Sequence, residues 1–160
     1  MATFKKYLCT TLLLFMVGTM AAHVDGQDKI RLKDYQWKHR LILAFSPSAQ
    51  HPGHKALEKE IAVQAEEVMD RDLLVFHFLE TGEIRLGEIS LPTGSGDYFR
   101  ENFSIRPGRF TVLLIGKDGG VKLRREGGVE LDEILSLIDT MPMRQREMRE
   151  KAAAEVTTNE

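Results

Sequence analysis

The chain has 160 residues, 42% hydrophobic and 29% charged, with 13 Gly and 5 Pro, which fits one globular domain and excludes collagen-like, disordered and polytopic membrane classes. Lys and Arg number 22 against 24 Asp and Glu, and a net charge of −2 gives no whole-chain case for binding nucleic acid. The single cysteine, Cys9, excludes a disulfide framework, a Cys-x-x-Cys redox centre and a thiolate zinc site.

The first 22 residues read as an address. Lys5 and Lys6 form a basic start, an uncharged and mostly apolar stretch runs from Tyr7 to Met20, and the small residues Ala21 and Ala22 follow. These are the three parts of a secretory signal peptide. The apolar stretch is shorter than the about 20 residues that span a bilayer. Cleavage is expected within 21–26, with an uncleaved anchor as the alternative. Removal of residues 1–22 takes away two lysines and no acid, leaving 20 basic residues against 24 acidic ones, a net charge of −4 and no cysteine. The expectation is an exported chain, periplasmic or extracellular, with no stable membrane span after cleavage.

The mature chain divides into a domain over 30–142 and a charged segment over 143–160. Leu41 to Phe45 is a continuous apolar run, as in a strand covered on both faces. Turn formers from Ser46 to Gly53 end it. From His54 to Asp70, Leu57, Ile61, Ala65 and Val68 recur at helical spacing, with Glu58, Glu60, Glu66 and Glu67 on the solvent side. Leu73 to Leu79 is a second buried strand. Ile84, Leu86, Ile89 and Leu91 suggest an edge hairpin, Gly94-Ser95-Gly96 a loop, and Asp97 an N-cap for a short helix from Tyr98 to Phe103. Phe110 to Ile115 is a third buried strand, folded back through Asp118-Gly119-Gly120 onto Val121 to Arg124. Leu131, Ile134, Leu135 and Ile138 give a last amphipathic helix, interrupted by Pro142, beyond which Glu147 and Lys151 stand at i,i+4 spacing.

A strand–helix–strand start calls for parallel pairing and a right-handed crossover. The hairpin adds antiparallel strands. The result is an α/β three-layer sandwich: a mixed sheet with a parallel start, a C-terminal antiparallel hairpin and helices on both faces. That is the element order of the thioredoxin fold.

In such a sheet ligands meet the loops at the carboxyl ends of the parallel strands. Ser46, Ser48, Gln50 and His51 stand there, before a helix N-terminus whose dipole attracts anions; the same residues serve equally as caps and turn formers. A thiol enzyme of this fold would place its cysteine in that loop, and none is present. His51 and His54 lie at a ligand-like spacing but read as exposed loop histidines, because no Asp, Glu or Cys beside them completes a metal set. His77 reads as a hydrogen-bonded core histidine. Met141, Met143 and Met148 offer soft sulfurs suited to Cu(I), though packing is the commoner use of methionine. Arg40, Lys117, Asp118, Lys122 and Arg124 form a second candidate ligand set, with Lys122 and Arg124 on one strand face; a solvated face balanced by nearby acids is the alternative. No catalytic residue, metal site or cofactor is assigned.

Several segments carry a resemblance: Asp34 to Leu43, Arg71 to Val75, Leu114-Ile115-Gly116-Lys117-Asp118-Gly119-Gly120 through Arg124, and Ile138-Asp139-Thr140-Met141-Pro142-Met143-Arg144. These resemble the family called domain of unknown function 4174, over roughly residues 30–150. The resemblance implies a peroxiredoxin-like, thioredoxin-fold domain of exported bacterial and secreted animal proteins, with no activity assigned to the family. The chain departs from peroxiredoxins in the loop from Ser46 to Pro52, which lacks the peroxidatic cysteine. The expected function is therefore a non-catalytic exported module that binds a protein or a small anionic ligand. A non-thiol enzyme or anion binder built on the strand-end loop and basic hairpin is the alternative, and a structural module of envelope or matrix a third reading.

Overall fold

The computed structural model describes residues 30–158. The expected signal peptide with its expected cleavage points, Cys9 and the last two residues lie outside the described residues.

Among the described residues eleven strands and α-helices follow in order: β1 (Arg40–Ser46), α1 (Pro52–Val63), α2 (Ala65–Asp70), β2 (Leu73–Leu79), β3 (Ile84–Leu86), β4 (Ile89–Leu91), α3 (Gly96–Asn102), β5 (Thr111–Ile115), β6 (Val121–Glu126), α4 (Leu131–Asp139) and α5 (Pro142–Thr158). The six strands form one sheet in the order β4-β3-β2-β1-β5-β6. β1 and β2 pair in parallel, and each remaining neighbour pair is antiparallel. The expected mixed sheet is present, with β1 and β2 at its centre where continuous apolar runs belong.

Side-chain alternation along β1 divides the core in two. Ile42 and Ala44 face α1, α2 and α4, packing with Leu57, Val68, Leu131, Ile134 and Ile138. Leu41, Leu43 and Phe45 face the opposite layer, where Phe99 of α3 and Ile105 pack, with Leu32 and Tyr35 against them. Helices thus cover both faces, and the carboxyl end of β1 feeds α1 directly. Pro52 occupies the first helical turn and His51 Nδ1 accepts the Gly53 N–H at 3.2 Å, which fixes where α1 begins.

Three local expectations need correcting. The helix expected from His54 to Asp70 is two helices, broken at Gln64 (φ −110°, ψ 33°), whose side chain reaches across to Asp132 at the start of α4. Asp97 caps nothing: a 3-10 turn over Thr93–Ser95 replaces the loop and α3 starts two residues earlier, at Gly96, leaving Asp97 inside its first turn. Glu147 and Lys151 do not pair with each other. Glu147 bonds Arg40 and Lys117, and Lys151 bonds Asp70.

That last difference explains how α5 attaches. Arg144, Glu147 and Lys151 recur at three and four residues and so share one side of the helix. Arg144, 5% exposed, bonds Asp70 and, at 3.2 Å, Asp139. α5 has the periodicity of an amphipathic helix, but its inner stripe is written in charges. Opposite ends of β1 therefore carry different chemistry: a turn-rich loop at its carboxyl end and an ionic floor under α5 at its start.

Candidate functional site

The two groups of residues expected to bind ligand do not form one site. Ser46 and Arg40 stand at opposite ends of β1, about 20 Å apart at strand rise. At the carboxyl end, Ser46 is fully buried and its Oγ donates to the Ser48 carbonyl at 2.8 Å. The His51 ring stacks on Phe110 at 5.4 Å between centroids while its Nδ1 holds the Gly53 N–H. A Cβ placed on Gly53 would lie 2.6 Å from the Phe110 ring, so the head of α1 is packed against that ring. Gln50 is exposed. Ser46, Ser48 and His51 are thus engaged with their own backbone and core rather than converging on a shared space.

At the other end, Arg40, Lys117, Asp118 and Lys122 do come together, lining a cavity of about 410 Å³ with Thr140, Met141, Pro142 and Met143. Each cation there already has an acid. Arg40, 1% exposed, forks onto Glu147 at 3.1 and 3.2 Å and donates to the Arg71 carbonyl. Lys117 Nζ lies 2.7 Å from both Asp72 and Glu147, and Lys122 2.6 Å from Asp118. The Lys122 hydrogen bond and the Gly120 N–H hold the Asp118 carboxyl below its ordinary pKa. Arg124 leaves this group and donates to the carbonyls of Phe103 and Ser104. Met141 packs against the core, whereas Met143 and Met148 are 39% and 37% exposed.

The densest chemistry lies elsewhere, between α1 and the sheet. His54 is not a loop residue: it occupies the first turn of α1 and is fully buried. Glu58 follows one turn later on the same side, with its Oε1 3.2 Å from His54 Nε2. His77 of β2 faces α1 by strand parity, and its ring meets the His54 ring edge-on at 5.0 Å between centroids. Arg85 is His77's cross-strand partner on β3, so it shares that face; its Nη2 lies 2.6 Å from Glu58 Oε1 and 3.4 Å from His54 Nε2. His77 is a core histidine as expected, but its Nδ1 makes no hydrogen bond, and neither does His54 Nδ1.

The electrostatics follow from this enclosure. Burial lowers the His54 pKa and, with the neighbouring His54 and Arg85, pushes that of His77 down to about 4. Glu58 loses solvation too, yet the Arg85 hydrogen bond and the nearby imidazoles leave its carboxyl below the ordinary value. At neutral pH the group is therefore two neutral imidazoles, a carboxylate and a guanidinium. Glu58, His77 and Arg85 line a cavity of about 710 Å³ together with Ile61, Val68 and Val75. A few polar groups among apolar walls are the usual make-up of a small-molecule pocket.

Sequence reasoning missed this cluster because its four residues come from α1, β2 and β3. The one local signal was the His54–Glu58 spacing of a single helical turn.

Among solved structures, the chain is similar to a reduced 2-Cys peroxiredoxin of Plasmodium vivax, with 12% identity, coverage of 73% of this chain and 85% of that one, and a TM-score of 0.52. It is also similar to thioredoxin peroxidase I of Plasmodium yoelii, with 15% identity, coverage of 73% and 80%, and a TM-score of 0.49. The first likeness establishes the peroxiredoxin-like, thioredoxin-type α/β fold. The profile of the Domain of unknown function (DUF4174) matches residues 31–147, a span that holds β1 through α4, the His54 cluster and the ionic floor under α5. With most of its length inside that match and a peroxiredoxin-like frame around a cysteine-free loop, the chain belongs to the DUF4174 family.

Proposed function

We propose that this protein is an exported thioredoxin-like domain that acts by binding a protein or a small ligand rather than by thiol exchange. The observation that carries the reading is the loop at the head of α1. A reactive thiol would gain there from the helix dipole, but Ser46 and His51 stand in the loop, already bonded to its backbone. The only cysteine of the chain, Cys9, lies in the segment expected to be removed. None of the helices among residues 30–158 is long and apolar enough to cross a membrane.

The test uses protein recovered from the exported fraction. Its N-terminus is expected within the Ala22 to Gln27 stretch, and hydrogen peroxide reduction and insulin reduction are expected to show no turnover above the uncatalysed rates. Turnover by purified protein overturns the binding reading, and an intact Met1 overturns cleavage.

One observation favours a second reading, anion binding or non-thiol catalysis at the basic hairpin: Arg40, Lys117, Asp118 and Lys122 line the same cavity. Their internal ion pairs oppose it, because an anion must compete with Glu147, Asp72 and Asp118. Calorimetric titration with inorganic phosphate is expected to give no saturable heat. A saturable isotherm weakened by Lys122→Gln would establish the second reading.

A further inference from the structure

One ligand-type atom each from His54, Glu58 and His77 lies within 4.8 Å of the others. The separation of His54 Nε2 and Glu58 Oε1, 3.2 Å, is close to the roughly 3.3 Å edge of a tetrahedron with N and O donors about 2 Å from a central zinc ion. Closing His77 onto the same centre asks for a movement of about 1.5 Å or less. The pattern has a simple origin. His54 and Glu58 stand one turn apart on α1, and His77 rises toward them from β2.

Two further observations point to a ligand. His54 and His77 are 0% and 4% exposed, and His77 leaves Nδ1 buried without a partner, a condition that native cores carry in few places. A cation already sits on this donor set: the Arg85 guanidinium bonds Glu58 at 2.6 Å and approaches His54 Nε2 at 3.4 Å. It covers two of the three atoms that a metal would take. Glu83 stands 3.5 Å from Arg85 Nε and offers the displaced guanidinium a second carboxylate.

We propose that His54, Glu58 and His77 form a binding site for a divalent transition-metal cation, with Arg85 as the resident cation that the metal displaces. Two imidazoles and one carboxylate are a donor set that suits zinc. Three protein ligands leave the fourth tetrahedral position to water or to a small ligand from the cavity that Glu58, His77 and Arg85 line. Burial keeps both imidazoles in the neutral form that ligates. The site does not depend on the binding function proposed above, since a metal could be purely structural.

The test is calorimetric titration of tag-free, chelator-stripped protein with Zn(II) at neutral pH, with Co(II) absorption as a report on coordination. One equivalent of zinc and the visible bands of four-coordinate Co(II) are expected. Glu58→Gln and His77→Gln are expected to weaken zinc by about tenfold or more, and Arg85→Gln to tighten it by about tenfold by removing a like charge. Glu58 is partly exposed, so its variant remains informative if the His77 variant does not fold. Absence of both heat and Co(II) bands overturns the site, as does an affinity unchanged in Glu58→Gln, which would place the metal elsewhere. Weaker binding in Arg85→Gln overturns the displacement.

Discussion

Replacing Glu147 with alanine is expected to lower the stability of the domain by about 2–3 kcal/mol and to release α5 from the sheet. Glu147 is the acid shared by Arg40 and Lys117. Lys117 keeps Asp72 after the substitution, but Arg40, 1% exposed, keeps only the Arg71 carbonyl. A buried guanidinium left without its counter-charge is the costly case. The estimate stands below the figure of about 3–5 kcal/mol for fully enclosed pairs because Glu147 is itself 25% exposed. The same pairing explains why the Glu147 carboxyl titrates below its ordinary range: burial raises it, and the Arg40 and Lys117 hydrogen bonds outweigh burial.

Urea unfolding followed by far-ultraviolet circular dichroism measures the loss; the one tryptophan, Trp37, is 64% exposed and a poor reporter of the core. Hydrogen exchange resolves the helix. Faster exchange across α5 with little change in β1 and β2 is the expected pattern. Replacing both partners, Arg40→Met with Glu147→Leu, is expected to recover most of the stability, because an apolar pair leaves no charge stranded. A Glu147→Ala variant as stable as the parent would show that this ionic floor contributes nothing.

The second large effect concerns pH. Folding lowers the His77 pKa from its ordinary 6.5 to about 4. Between those two values the unfolded chain takes up a proton that the folded chain refuses, so stability falls as the pH drops through this window and rises with pH across it. The depressed pKa corresponds to about 3 kcal/mol lost by pH 4 from this group, with no further loss below it. His54 acts in the same direction. Glu58 faces the same space and adds its own loss lower down, as pH falls below its ordinary 4.5. Arg85 faces the same space, bonded to Glu58 and across the strand pair from His77. Urea midpoints measured across this pH range are expected to trace the fall, and His77→Leu to flatten it. Equal slopes for variant and parent would contradict the assignment.

Much of the frame was legible because it rests on short-range patterns. The apolar run from Leu73 to Leu79 is β2 residue for residue, and the pairs Ile84/Leu86 and Ile89/Leu91 are the two short strands of the hairpin at one edge of the sheet. Spacing of Leu131, Ile134, Leu135 and Ile138 is the buried side of α4. The site was not legible for the opposite reason. Nothing in the order of residues says that β3 lies beside β2 in the register that puts Arg85 across from His77, or that α1 crosses at the height of both. A hydropathy reading also finds nothing to dock in α5. Its attachment lies in which charges recur at helical spacing, and their partners, Arg40, Asp70, Lys117 and Asp139, are scattered along the chain.

The two outer strands set a limit on how this protein can associate. β4 is three residues long, and β6 presents Lys122, Arg124, Arg125 and Glu126 along a register-shifted edge. Short margins, lysine and arginine at the rim and an irregular ladder are devices that keep a sheet from recruiting another strand. Amyloid-like growth and strand donation by a passing peptide are both discouraged at β4 and β6. Association is left to side chains on the helical layers and loops, where shape and charge select the partner and the backbone does not.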